Sequence, residues 1–133
     1  MKKKDTRAEK KKVLMIVEDF DFIRNLVGRY FQIDGYEVIS AGNMQEAMAI
    51  GQWEQPAVVI VDFDMATNDP YVIVSILHNI LPLSEIIMVN GRSRHCNIDE
   101  AKVAGANIIL ERLFNPSVLE GIIHNADIEI LHQ

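Results

Sequence analysis

The sequence predicts an α/β fold: a parallel sheet with helices on both faces. Three observations point there. Short β-branched runs alternate five times with longer stretches of helical spacing. The central run, Ala57-Val58-Val59-Ile60-Val61, is apolar on both faces, as a strand buried between two helical layers must be. Finally, 133 residues with 49% apolar side chains suffice for one domain with a substantial core.

The elements follow in order. Val13 to Val17 is the first strand. Asp21 to Asp34 then places Ile23, Leu26, Val27, Tyr30 and Phe31 on one helical face, and Gly35 takes the position just past its end. Tyr36 to Ser40 is the second strand, and Asn43 to Glu54 is a helix with Met44, Ala47, Met48 and Ile50 apolar. Pro56 marks the entry to the third strand, Ala57 to Val61. Pro70 to Leu81 reads as a helix with proline in its first turn. Glu85 to Val89 is the fourth strand. Asn97 to Glu100 has the spacing of a capping box and opens a short helix that ends at Gly105. Asn107 to Leu110 is the fifth strand, and Asn115-Pro116 caps a last helix lined by Val118, Leu119, Ile122, Ile123 and Ala126.

Charge divides the chain. Residues 1–12 hold seven basic and two acidic side chains, and the remainder holds six basic and seventeen acidic, so a tail of +5 precedes a body of −11. The expected organisation is a basic, disordered, solubilising tail over 1–12, a domain over 13–126 and a short C-terminal tail over 127–133. An acidic body argues against nucleic acid as its partner. No apolar run approaches the roughly 18 residues of a membrane span. Val13 to Val17 is too short for the apolar part of a signal peptide. The lone cysteine, Cys96, has no partner for an internal disulfide. A cytoplasmic location is the expectation.

In open α/β sheets, sites form beyond the carboxyl ends of the strands. Glu18 and Asp19 follow the first strand, Asp62 and Asp64 the third, Asn90-Gly91-Arg92 the fourth, and Glu111-Arg112 the fifth. Glu18, Asp19 and Asp62 would therefore meet at one edge, where like charges repel. A divalent cation with hard oxygen ligands and open water positions, Mg²⁺, removes that conflict. Asp62 can then act as an oxygen nucleophile toward phosphorus and form an acyl phosphate. Asn90 and Arg112 are placed to donate to the transferring group. Taken singly, each acid is equally well read as a helix N-cap, Asp19 or Asp21 for the first helix.

The segments Val13-Leu14-Met15-Ile16-Val17-Glu18-Asp19, Gly35-Tyr36-Glu37-Val38, Ala57-Val58-Val59-Ile60-Val61-Asp62, Ala104-Gly105-Ala106 and Phe114-Asn115-Pro116 resemble response-regulator receiver domains, the CheY-like partners of histidine kinases. The resemblance covers about residues 13–126 in order. It implies a flavodoxin-like (βα)5 sheet of strand order 2-1-3-4-5. It also implies Asp62 as phosphoacceptor, and Mg²⁺ held by Glu18, Asp19, Asp62 and the backbone carbonyl of Asp64. The phosphodonor would be a histidine kinase or phosphotransfer protein. Output would be through protein contacts, with homodimerisation through the fifth strand and the two helices beside it. Such a domain is a phosphoacceptor in signalling rather than an enzyme, although self-dephosphorylation belongs to its chemistry.

Departures from the family pattern fall on the read-out side. The hydroxyl residue that ends strand four is Asn90 here, the lysine after strand five is Arg112, and the following proline is Leu113. Ala66 stands where a proline is usual and Pro70 near where a glycine is usual. The aromatic switch position in strand five is Ile109. An asparagine amide still donates but is larger than a hydroxyl, and a forked guanidinium is not a point-like ammonium. Asn90 and Ile109 remove both halves of the family's hydroxyl-and-ring coupling. The alternative is thus a non-switching pseudo-receiver that binds a partner or dimerises whatever the state of Asp62. A weaker third reading takes Asp62-Phe63-Asp64 as the Asp-x-Asp of a haloacid-dehalogenase-type phosphatase, but Asp62 follows the third strand and Thr67 lies one position late.

Other residues read as structural. His78 and His124 lie in helices, His95 in a loop and His132 near the end. Met44, Met48, Met65 and Met88 suit packing, and Trp53 is expected to cover an edge of the core. Arg92 and Arg94 read as a solvated loop beside the site.

Overall fold

The computed structural model describes residues 12–17, 35–64, 68–90, 96–110 and 121. Five strands form one sheet: β1 (Lys12–Val17), β2 (Tyr36–Ala41), β3 (Val58–Asp62), β4 (Glu85–Val89) and β5 (Ile108–Leu110). Every pairing is parallel and the order is β2-β1-β3-β4-β5. This is the expected doubly wound order, with β1 and β3 in the middle. Strand β3 is one residue displaced from the expected span and includes Asp62, which pairs with Val89.

Three helices are described: α1 (Met44–Glu54), α2 (Pro70–Ile80) and α3 (Ile98–Ala104). The expected helices over 21–34 and 116–126, residue 121 apart, and both tails lie outside the described residues, except that Lys12, expected in the N-terminal tail, opens β1 by pairing with Tyr36. Each described helix starts at a cap its sequence supplies. Asn43 accepts the N–H of Glu46 at 2.9 Å while the Glu46 carboxylate accepts the N–H of Gly42 at 2.7 Å, a reciprocal capping box. Asp69 accepts the N–H of Tyr71 at 2.9 Å, with Pro70 in the first turn. Asn97 accepts the N–H of Glu100 at 2.9 Å.

Side chains alternate along the strands, so the sheet has two buried faces. Met15, Val17, Val59, Val61, Ile86 and Met88 pack with Ala47 of α1, Ile73, Val74 and Leu77 of α2 and Ala101 of α3. Leu14, Ile16, Val58, Ile60, Ile87, Val89 and Leu110 form the second cluster, on the other face. The close seat of α1 depends on Gly51, where a Cβ would come 3.0 Å from Leu81 Cδ1. Gly105 ends α3 at φ +129°, and His78 of α2 lies against its backbone. The side chain of Asn107 extends the β4–β5 ladder by accepting the N–H of Ile86 at 2.8 Å, while its own N–H donates to Ile86 at 2.8 Å.

Trp53 corrects an expectation. It is 85% exposed and covers no core edge. The face of α1 turned inward is set by Ala47 and Gly51, and Trp53, two residues beyond Gly51, is rotated by about 200° from it. Met88 is fully buried and Met44 packs against the core, as expected of both. Met65 lies outside the described residues.

Candidate functional site

The site begins with sheet register. Val17 pairs with Val61, the residues immediately before Glu18 and Asp62 in the chain. Asp62 pairs with Val89, whose carbonyl then accepts the N–H of Phe63 at 2.9 Å. The N–H of Asn90 donates to the carbonyl of Leu110 at 2.7 Å, directly before Glu111 and Arg112. The carboxyl ends of β1, β3, β4 and β5 thus finish level at one edge of the sheet. Asp62 and Asn90 are described there; Glu18, Asp19, Glu111, Arg112, Arg92 and Arg94 lie outside the described residues.

Asp62 is 3% exposed and Asn90 6%, the two buried polar side chains among the described residues. Burying a carboxylate is costly unless charge or hydrogen bonds compensate it. One bond is local: Asp62 Oδ1 accepts the N–H of Asp64 at 3.0 Å. It closes a tight turn over Phe63, itself 3% exposed. The ring of Phe63 meets that of Tyr71 edge-on, with centroids 5.3 Å apart and an interplanar angle of 72°.

Asn90 is occupied in a way its sequence position did not reveal. Its Oδ1 accepts the backbone N–H of Cys96 at 2.8 Å, in a buried setting. The next N–H, that of Asn97, donates to the hydroxyl of Tyr71 at 2.7 Å. The start of α3 is therefore tied to the strand-end edge by two side chains. Cys96 is buried and in no disulfide. Ile109, at the strand-five position, is partly buried against the first core cluster. Above α1, Asn68 accepts the N–H of Met44 at 3.0 Å, joining the loops after β2 and β3.

A family model for the response regulator receiver domain matches residues 14–124. The chain belongs to that family. It is a receiver domain of the response regulators of two-component signalling. It is 30% identical over 115 residues to a probable transcriptional regulator, ycf27, of Porphyra purpurea, a match covering 86% of this chain and 47% of the relative. It is 28% identical over 105 residues to the transcriptional regulatory protein SrrA of Staphylococcus aureus, covering 77% of this chain and 42% of the relative. The receiver domain thus spans about half the length of these relatives. The solved structure of the chemotaxis protein CheY4 of Vibrio cholerae superposes with a TM-score of 0.79 at 26% identity, covering 88% of this chain and 99% of the other. A CheY-like receiver protein of Methanospirillum hungatei shares the fold with a TM-score of 0.83 at 24% identity, covering 93% of this chain and all of the other. Among the described residues no helix is long and apolar enough to cross a membrane.

Proposed function

We propose that this receiver domain accepts a phosphoryl group on Asp62 from the phosphohistidine of a histidine kinase or phosphotransfer protein. The observation that carries the reading is a buried carboxylate at the end of a central parallel strand, 3% exposed and fixed by the turn to Asp64. A carboxylate oxygen of Asp62 attacks phosphorus, the phosphorus–nitrogen bond breaks, and the imidazole leaves with the electron pair and is protonated. The product is an acyl phosphate on Asp62.

The donor set suits Mg²⁺: carboxylates and a peptide carbonyl, all hard oxygens. Glu18, Asp19, Asp62 and the Asp64 carbonyl are the residues that would hold it. When bound, the metal neutralises charge between the acids and on the transferring group. Asn90 Nδ2 and Arg112 are the donors this chain supplies to the phosphoryl oxygens. The Oδ1 of Asn90 accepts from Cys96, and its amide nitrogen is the donor end of the same side chain. Output is through protein contacts. Ile98 and Val103, 55% and 89% exposed, give α3 an apolar surface for a partner or a second copy.

Incubation with Mg²⁺ and acetyl phosphate, followed by intact mass, tests the reading. A phosphoryl increment that disappears in Asp62→Ala and in chelator supports it. An unmodified protein, under conditions that label CheY4-type receivers, refutes it.

One observation favours the second reading, a non-switching module. The bond from Asn90 to Cys96 holds the start of α3 without any modification of Asp62. In that case partner binding is equal in wild type and Asp62→Ala, with or without acetyl phosphate.

A further inference from the structure

We propose that Tyr71 is a positioning residue that couples the Asp62 turn to the start of α3, in place of a strand-five aromatic. The inference rests on the phosphoacceptor reading and adds a route for it. The contacts form an unbroken series. Asp62 Oδ1 holds the N–H of Asp64 and so sets the turn that carries Phe63. The Phe63 ring rests edge-on against Tyr71 at 5.3 Å. The Tyr71 hydroxyl accepts the N–H of Asn97, the N-cap of α3, at 2.7 Å. Tyr71 is the first residue after Pro70 in α2, so its backbone is anchored by the Asp69 cap while its side chain spans from β3 to α3.

The chemistry at Asp62 bears directly on the first link. Phosphorylation converts a carboxylate carrying a full charge into an acyl phosphate, whose carboxyl oxygens are weaker acceptors for the Asp64 N–H. The turn over Phe63 then relaxes, and the edge-on seat of Tyr71 changes with it. Because packed rings and a directional hydrogen bond occupy discrete arrangements, a small change at the turn is passed on to Asn97. Asn90 provides a second hold on the adjacent residue, Cys96, from the neighbouring strand end. Ile109 cannot supply a ring or a hydroxyl to this series, and the series does not need it.

The test follows the backbone amides of Cys96 and Asn97 by ¹H–¹⁵N NMR in the full chain, before and after Mg²⁺ and acetyl phosphate, with intact mass recorded on the same samples. In wild type, the phosphoryl increment is expected to move both amides. In Tyr71→Phe, which keeps the ring and removes the acceptor, the increment persists and the Asn97 response falls to about half or less. In Phe63→Leu, which keeps the hydroxyl and removes the ring contact, the Asn97 response falls similarly. A mass increment with no Asn97 response in wild type, or with a response in either variant as large as in wild type, overturns the coupling and leaves the phosphoacceptor reading standing. Absence of the increment in wild type overturns both.

Discussion

The side-chain carbonyl of Asn90 accepts the backbone N–H of Cys96 at 2.8 Å, closing the ends of the loop between β4 and α3 across a buried corner. Both residues are nearly inaccessible, at 6% and 8% exposure. A hydroxyl at position 90 would be shorter and free to rotate, whereas the planar amide offers an acceptor on one side and donors on the other. The departure at this position therefore gives the loop a permanent anchor.

Asn90→Ala removes that acceptor while leaving the Cys96 N–H buried. A buried donor without its acceptor costs about 1–3 kcal/mol. Urea unfolding should show a lower midpoint by a corresponding amount, with the slope unchanged. An unchanged midpoint would mean that solvent replaces the amide and that the corner is not closed.

Gly105→Ala meets two obstacles at once. At φ +129° the backbone lies where side chains are strained, and a Cβ would stand 2.6 Å from Cβ and Cγ of His78. The expected cost is about 2–4 kcal/mol, since strain and overpacking act together. Pairing it with His78→Ala removes the contact with Cγ and the ring but keeps the Cβ at 2.6 Å, so it should recover only part of the steric cost and none of the backbone cost. A double-mutant cycle by denaturation separates them. Additive effects in that cycle would show that His78 moves aside freely.

Gln55 ends α1 in the left-handed region, at φ 52° and ψ 62°, with its N–H on the carbonyl of Gly51 at 2.9 Å. A residue with a Cβ pays about 1 kcal/mol or more there. Gln55→Gly relieves that strain but loosens the unfolded chain, so a net gain of about 0.5 kcal/mol is expected. Thermal unfolding decides it; a clear loss would assign the position's stability to the side-chain bond from Gln55 Nε2 to the Gln52 carbonyl, 2.9 Å.

Strand β3 was readable because a short β-branched run apolar at every position suits a strand covered on both faces, and Asp62 at its end marked the edge of the candidate site. The starts of α2 and α3 were readable because proline and asparagine act locally. The Asn90–Cys96 and Tyr71–Asn97 bonds were not readable. The first closes the two ends of one connection and the second joins residues 26 positions apart, and local sequence signals neither. Trp53 misled for a related reason. Its size suggested burial, but the inward face of α1 is chosen by the small residues Ala47 and Gly51, which admit Met15 and Leu81. Substituting Trp53→Gln should accordingly change stability by no more than about 0.5 kcal/mol.

Asp62→Asn separates the charge of the proposed phosphoacceptor from its shape. The amide oxygen can take the place of Oδ1 toward the Asp64 N–H, as a weaker acceptor without the charge. Without metal, the substitution removes a negative charge from a residue that is 3% exposed and ends a strand beside the one leading to Glu18 and Asp19. The variant should therefore be at least as stable as wild type in chelator, because a buried carboxylate costs more to take out of water than an amide. If Asp62 helps to hold Mg²⁺ as proposed, excess Mg²⁺ should reverse the order. A ligand that binds only the folded state stabilises it, by about 2.7 kcal/mol at a hundredfold excess over its dissociation constant. In a domain of this size that raises the wild-type midpoint by several degrees, on the order of 5–15 °C. Asp62→Asn, with a weaker oxygen donor and no charge, should gain far less. Thermal unfolding of both proteins in chelator and in millimolar Mg²⁺ gives the four midpoints needed. Equal gains in the two proteins would place the metal away from Asp62 and remove it from the phosphoryl-transfer chemistry.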